Sequence, residues 1–166
     1  SSSQPAVDRL RIGCAVLREL WSAEGPLTGI EDLGTVVSEW ADLTEERMAR
    51  LRPGYDPELV AHGVRLLRDL PSTATRRVLL HGDFNPGNVL SAGDRWLAID
   101  PKPMVGDPAY DPWPLLEQVD DPFPQPRSVL RERVRLLADE LDLDARRIVD
   151  WSIARRVETA LWAAPS

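Results

Sequence analysis

Apolar residues recur at helical spacing along most of the chain. At positions 7, 10, 14, 17 and 21 they follow one another at intervals of three or four, which predicts an amphipathic helix from Val7 to Trp21. The same periodicity predicts helices over about 32–50, 56–70, 127–141 and 144–163. Asp56 followed by Pro57 is typical of a helix start, and Pro53 with Gly54 of a helix end.

The middle of the chain has a different pattern. Short apolar runs at 77–80, 88–90 and 96–99 predict strands, and a turn at 92–94 would join the last two into a hairpin. A proline-rich stretch at 112–126 separates these strands from the two final helices. We therefore expect an α+β fold that is mostly helical, with small β-hairpins, in a single domain over residues 1–166.

Charge and composition narrow the classes of function. The net charge is −7, which argues against general nucleic-acid binding but is compatible with a cationic partner. No apolar run is long enough to cross a membrane, and the first residues resemble no export signal, so we expect a cytoplasmic protein. The single cysteine, Cys14, lies on the apolar face of the first helix and is expected to be buried.

One segment of the sequence contains candidate catalytic residues. His81, Asp83 and Asn88 form the pattern His-x-Asp-x-x-x-x-Asn, and Asp100 follows directly after the strand at 96–99. Phosphoryl transfer uses such a set, because one carboxylate orients the attacking hydroxyl while an amide oxygen and a second carboxylate hold Mg²⁺. A strand–turn–strand unit would bring Asn88 and Asp100 side by side. The alternative is a turn at 85–87 with Asp83 as a simple cap.

The chain resembles the aminoglycoside phosphotransferase family of protein-kinase-like enzymes. The resemblance is carried by the catalytic segment, by Asp100-Pro101-Lys102 and by the run Gly-Asp-Pro-Ala-Tyr-Asp at 106–111. The last two motifs are most similar to the branch that contains streptomycin 6-kinases and hydroxyurea kinases. The specific match covers about residues 78–118, and the flanking helices fit the C-terminal lobe of the fold.

The resemblance implies a role for each motif residue. Asp83 would be the catalytic base, Asn88 and Asp100 the Mg²⁺ ligands, and His81 a structural support of the loop. Asp107 would also support the loop, capping a helix that opens at Pro108, and Asp111 would also be structural. Lys102, the only lysine, faces either a phosphate or solvent. No residue is singled out for substrate binding, although acidic side chains at 111, 117, 120, 121 and 158 could attract a cationic substrate.

A kinase of this fold binds ATP beneath an upper lobe with a Gly-rich loop and a strand lysine. Neither is present, so we expect only the C-terminal lobe, inactive in isolation without an N-terminal nucleotide-binding lobe. The chain would be a fragment, a non-catalytic remnant, or a half completed by a partner; intact Asp83, Asn88 and Asp100 favour the fragment.

The leading hypothesis is therefore a kinase that transfers the γ-phosphoryl group of ATP, with Mg²⁺, to a hydroxyl of an aminoglycoside-type antibiotic such as streptomycin. The partner would be this small molecule, with no nucleic acid or membrane involved. Two alternatives remain: a non-catalytic drug-binding or regulatory domain derived from a kinase lobe, and a metal hydrolase that uses His81 and Asp83.

Overall fold

A computed structural model describes residues 5–120 and 125–166. In these residues the chain forms α-helices with the following bounds: α1 Ala6–Trp21, α2 Leu33–Leu51, α3 Pro57–Asp69, α4 Trp113–Gln118, α5 Arg127–Leu141 and α6 Ala145–Ala163. The strands are β1 Glu31–Asp32, β2 Val78–Leu80, β3 Val89–Ala92, β4 Arg95–Ala98 and β5 Met104–Gly106. The predicted α+β composition with a majority of helix is confirmed.

The helix ends follow from local chemistry. Asp32, Asp56 and Asp144 each accept a hydrogen bond from a backbone N–H in the first turn of α2, α3 and α6, respectively. Such caps satisfy donors that the helix itself leaves unpaired. At the other end of α2, Arg52 takes a left-handed conformation with φ 45°, and Pro53 follows it. The five predicted helices are therefore present with nearly the predicted bounds.

Two small sheets surround the catalytic segment. One has the strand order β1-β5-β2, with β1 parallel to β5 and β2 antiparallel to it. The other is the predicted hairpin, in which Val89 of β3 pairs with Ala98 of β4. The two- and three-residue strands β1 and β5 were not predicted, because pairing across the fold, rather than local periodicity, makes them strands.

The structure corrects the prediction in the stretch after β5. The helix expected to open at Pro108 is only one 3₁₀ turn, Pro108–Tyr110. An α-helix begins a few residues later, at Trp113, inside the proline-rich stretch. Proline is compatible with the first turn of a helix, so Pro112 and Pro114 do not prevent α4.

One apolar core joins the helices to the strands. It includes Leu17 of α1, Leu80 of β2 and Trp151 of α6, each at most 1% exposed. Cys14 is fully buried here, as predicted, and burial, reinforced by the charge of Glu140 and partly offset by that of Arg18, raises the pKa of its thiol to about 12. None of the helices in the described ranges is long and apolar enough to cross a membrane.

Candidate active site

A buried carboxylate fixes the start of the catalytic loop, residues 81–88. Asp111 accepts hydrogen bonds from the backbone N–H of His81 at 2.9 Å and of Gly82 at 3.0 Å. The indole Nε1 of Trp21 donates a third hydrogen bond to Asp111 at 3.1 Å. Burial raises the pKa of Asp111, and these three donors offset part of that rise. The loop is thus tied to the core 30 residues further along the chain.

The imidazole of His81 connects the loop to the hairpin. Its Nδ1 accepts a hydrogen bond from the backbone N–H of Asp83 at 3.2 Å, and its Nε2 lies 2.8 Å from the carbonyl oxygen of Ile99. Both contacts are satisfied only by the neutral tautomer with its proton on Nε2. Because Ile99 precedes Asp100, this one ring links the backbone at Asp83 to the backbone before Asp100. Neither ring nitrogen is left for a metal, which weighs against the metal-hydrolase alternative.

Gly82 permits a close approach of two backbone segments. The residue has φ 87°, and a Cβ placed on it would overlap the carbonyl oxygen of Lys102. The backbone N–H of Lys102 in turn donates to the carbonyl of His81 at 2.8 Å. Only glycine fits here without strain, so the sequence His-Gly-Asp sets the distance between the catalytic loop and residues 100–102.

Asp83 lies at the surface of the loop with its side chain 35% exposed. The Nδ2 of Asn85 lies 3.3 Å from the Oδ1 of Asp83, and the Nζ of Lys102 lies 3.7 Å from its Oδ2. The Lys102 side chain is itself 76% exposed. The carboxylate is therefore held at one oxygen by an amide and faced by an ammonium, yet remains accessible to a ligand.

Asn88 and the residue before Asp100 are neighbours across the hairpin. The backbone N–H of Ile99 donates to the carbonyl of Asn88 at 2.9 Å, and the Nδ2 of Asn88 donates to the carbonyl of Asp83 at 2.9 Å. With its nitrogen engaged, the amide oxygen of Asn88 is available as a ligand. Asp100 is exposed and has φ 51°, a left-handed conformation that Asp tolerates better than most residues.

A cleft of about 710 Å³ opens beside Asp83. Its wall comes from α4 and α6, and it includes Glu117 and Asp120 as well as Arg155 and Arg156. The lining is thus of mixed charge rather than uniformly acidic. In the described residues no three His, Cys, Asp or Glu side chains cluster closely enough to hold a metal ion by themselves.

The acidic residues that were expected to attract a cationic substrate lie in different environments. Glu117 and Asp120 line the cleft, but Asp120 is already paired with Arg133 at 2.5 Å and Arg9 at 3.4 Å. Glu158 lines an adjacent recess of about 350 Å³ between α2 and α6. Burial raises its pKa, and the charge of Arg155 offsets part of the rise.

The other two acidic candidates do not line the cleft. Asp111 is 1% exposed and engaged with the loop, so it is excluded as a substrate contact. Asp121 lies outside the described residues.

Asp107 contacts the 3₁₀ turn and α6 rather than the catalytic loop. Its Oδ1 accepts a hydrogen bond from the N–H of Ala109 at 3.0 Å, and its Oδ2 accepts bonds from Arg147 at 2.5 Å and Trp151 at 2.8 Å. Asp107 therefore anchors the 3₁₀ turn at 108–110 to α6, whereas Asp111 contacts the catalytic loop directly. The sequence had assigned loop support to His81 and Asp107 and only an unspecified structural role to Asp111.

Comparison with known proteins identifies the family of the chain. Residues 4–166 match the family described as aminoglycoside/hydroxyurea antibiotic resistance kinase. The chain belongs to this family. It is 34% identical over 151 residues to a streptomycin 6-kinase of Streptomyces glaucescens, covering 89% of this chain and 48% of that protein.

A second relative is named for hydroxyurea, the other compound in the description of the family. A hydroxyurea phosphotransferase of Kitasatospora aureofaciens is 34% identical over 149 residues, covering 89% of this chain and 42% of the relative. The chain thus spans about half the length of these antibiotic resistance kinases. The resemblance inferred from the catalytic segment is confirmed.

Solved structures confirm the kinase-like fold. The choline kinase LicA from Streptococcus pneumoniae superposes with a TM-score of 0.64 at 16% identity, covering 98% of this chain and 56% of that one. The macrolide 2'-phosphotransferase MphH from Brachybacterium faecium gives 0.58 at 18% identity, covering 100% and 62%. At these identities the likeness establishes the fold of this chain and nothing about its substrate.

Proposed function

We propose that this chain is the acceptor-binding half of an ATP-dependent kinase that phosphorylates a hydroxyl of a small-molecule antibiotic. The observation that carries the proposal is the accessible carboxylate of Asp83, held beside an open cleft by a loop that is rigidly tied to the core. A carboxylate in that position can accept a proton from a bound alcohol.

The proposed reaction needs little covalent chemistry from the protein. The acceptor hydroxyl binds in the cleft, and Asp83 orients it and takes its proton as the oxygen attacks the γ-phosphorus of ATP. The bond from that phosphorus to the β–γ bridging oxygen breaks, and ADP leaves. Lys102, 3.7 Å from Asp83, supplies positive charge next to the point of attack.

Asn88 and Asp100 are the proposed Mg²⁺ ligands. Their oxygens are the hard donors that Mg²⁺ prefers, and the ion ordinarily completes its shell with phosphate oxygens and water. The free amide oxygen of Asn88 and the exposed carboxylate of Asp100 fit that requirement. A bound Mg²⁺ would neutralise charge on the nucleotide phosphates.

The substrate class is proposed from the relatives. A streptomycin-type aminoglycoside is favoured by the streptomycin 6-kinases and by the chain's net charge of −7. The mixed lining of the cleft, in which Arg155 and Arg156 accompany Glu117, weakens the electrostatic part of this argument. Hydroxyurea is therefore the second substrate to test.

Nucleotide binding is proposed to require an additional lobe. The chain covers about half of its relatives and has neither a Gly-rich phosphate loop nor a second lysine. We therefore propose that residues 1–166 act as one C-terminal domain of a larger cytoplasmic kinase.

The test is a coupled assay of ADP release with streptomycin, hydroxyurea and simple alcohols. It is run on the chain alone and on the chain with its preceding coding sequence. In the longer protein, Asp83→Asn is expected to lower kcat by at least about a thousandfold with little change in nucleotide affinity, since a base and an orienting group are lost together. Glu117→Gln serves as the matched control for loss of one carboxylate from the cleft.

Two results would change the interpretation. Near-normal turnover by Asp83→Asn would remove this mechanism. Calorimetric binding of streptomycin with no transfer, even in the longer protein, would favour the drug-binding alternative.

A further inference from the structure

A second concave surface lies on the helical side of the molecule. It is a groove of about 430 Å³ between α4, α5 and α6, and we call it the arginine groove. Its floor is apolar and is formed by Leu116, Leu130, Val134, Val149 and Ile153. The volume is within the range of pockets that bind small molecules, about 300–1,000 Å³.

Among the described residues, every charged side chain that lines the arginine groove is positive. Arg131, Arg135, Arg146 and Arg156 line it, and no Asp or Glu of the described residues does. The chain as a whole carries 27 acidic and 20 basic residues, so this cluster runs against the overall balance. Guanidinium groups gathered around a low-dielectric surface create a positive local potential that attracts anions.

The individual arginines differ in what they contact. Arg146 pairs with Asp150 at 3.0 Å, and Arg156 lies with its Cζ 6.0 Å from the centroid of the Trp113 ring. Arg131 and Arg135, one turn apart on α5, have no ion pair or side-chain hydrogen bond within residues 5–120 and 125–166. These two guanidinium groups are available for a ligand.

The arginine groove is separate from the proposed phosphotransfer site. It shares Trp113 and Arg156 with the cleft beside Asp83, but none of its other lining residues. Trp113 and Arg156 therefore form a common wall between an apolar chamber and a polar one.

We propose that the arginine groove binds an amphipathic monoanion, a carboxylate with an aliphatic or aromatic tail. The tail would cover the apolar floor, and the carboxylate would form charge-assisted hydrogen bonds with Arg131 and Arg135. A purely apolar ligand would leave the arginines unused, and a cationic one would be repelled. The site does not depend on phosphotransfer, so it stands or falls separately from the proposed function.

The test is calorimetry of the full chain with three probes that separate tail from charge. These are decanoate, decyltrimethylammonium with the same tail, and acetate with the same head group. Decanoate is expected to bind at one site, at least about tenfold more tightly than either of the others. Arg131→Glu combined with Arg135→Glu is expected to weaken decanoate binding by at least about tenfold.

Matched controls keep the test specific. Arg50→Glu with Arg65→Glu makes the same change in charge on exposed helix positions outside the groove, and decanoate affinity should stay within about twofold. Val149→Glu, which adds a carboxylate to the floor, should also abolish binding. Circular dichroism checks that each variant is folded.

Three outcomes would overturn the proposal. One is equal binding of decanoate and decyltrimethylammonium, which would indicate an apolar surface without charge selection. Another is loss of decanoate binding in the Arg50/Arg65 control. The last is no decanoate binding by the unmodified chain; if that chain then forms a dimer that the Arg131/Arg135 variant dissociates, a second copy is the occupant.

Discussion

At the scale of single residues, the catalytic loop depends on the buried carboxylate of Asp111. Asp111→Asn keeps the shape but replaces one acceptor oxygen by an amide –NH₂, which then faces the backbone N–H of either His81 or Gly82. Because a buried donor is then left without an acceptor, we expect the free energy of unfolding to fall by roughly 1–3 kcal/mol. Urea denaturation followed by circular dichroism measures the difference.

The pH dependence of that difference gives a second readout. Burial raises the pKa of Asp111, so its protonated form is favoured in the folded state more than in the unfolded chain. The stability that this shift contributes is complete below the ordinary carboxyl pKa and is lost as the pH rises through the raised value. Wild type should therefore lose stability relative to Asp111→Asn as the pH increases from the acidic side; parallel curves would contradict this.

Substitution of Lys102 tests whether the positive charge beside Asp83 takes part in the proposed reaction. If its ammonium stabilises the transferring phosphoryl group, Lys102→Met should lower kcat by about 10- to 100-fold in the protein with its upstream sequence. Lys102→Arg should retain part of the activity, because it keeps the charge with a different geometry. Unchanged turnover in Lys102→Met would assign the lysine to solvent.

Much of the local geometry could be predicted from the spacing of the motif. The turn at 92–94 pairs β3 with β4, and this pairing alone makes Asn88 a neighbour of the residue before Asp100. The hydrogen bonds from the loop to Asp111 could not be predicted, because they join residues about 30 positions apart through tertiary packing. The roles of Asp83, Asn88 and Asp100 in catalysis stay predictions.

At the scale of elements, the crossing of α3 and α6 depends on Gly63. A Cβ at this position would lie 2.6 Å from the Cβ of Val157. Glycine in a helix interior normally costs about 1 kcal/mol relative to alanine, so Gly63→Ala would stabilise an isolated helix. Here we expect the opposite, a loss of about 1–3 kcal/mol, because the branched side chain of Val157 is stiff and the two helices must move apart.

A second glycine provides the matched comparison. Gly13 lies in α1, and a Cβ there would meet the two terminal methyl groups of Leu115, which lie at the far end of a flexible side chain and shift more easily than the Cβ of Val157. Gly13→Ala should therefore change the free energy of unfolding by much less than Gly63→Ala. Urea titrations of both variants decide the point, and equal losses would show that helix crossing is not limited by Val157.

The missed elements have two separate causes. Helix α4 begins between two prolines. Prolines usually indicate that a helix is interrupted, but they are tolerated in its first turn. Strands β1 and β5 are too short to show a period of two. The long helices were predicted because each buries one continuous apolar face, which is visible in the sequence without knowledge of its partner.

At the scale of the whole molecule, the core connects the first helix to the last. Buried residues of α1, α2, β2, α5 and α6 belong to one apolar cluster, and Arg147 of α6 contacts Asp107, Thr73 and the carbonyl of Leu70. A shared core of this kind favours unfolding in a single cooperative step. We therefore expect residues 1–166 to unfold in one transition even without an additional lobe.

The reactivity of the Cys14 thiol, which is buried in the core, gives a measure of this cooperativity. Because burial, with the charge of Glu140, raises the pKa of its thiol to about 12, almost no thiolate is present at pH 8 and the group is also shielded from reagents. Labelling by 5,5′-dithiobis(2-nitrobenzoic acid) should be very slow in the folded chain and fast in urea. Across the urea titration the labelling rate should follow the unfolded fraction from circular dichroism, since α1 is released only when the whole core opens. Rapid labelling below the transition would instead mean that α1 detaches on its own, and the chain would then be two cooperative units rather than one.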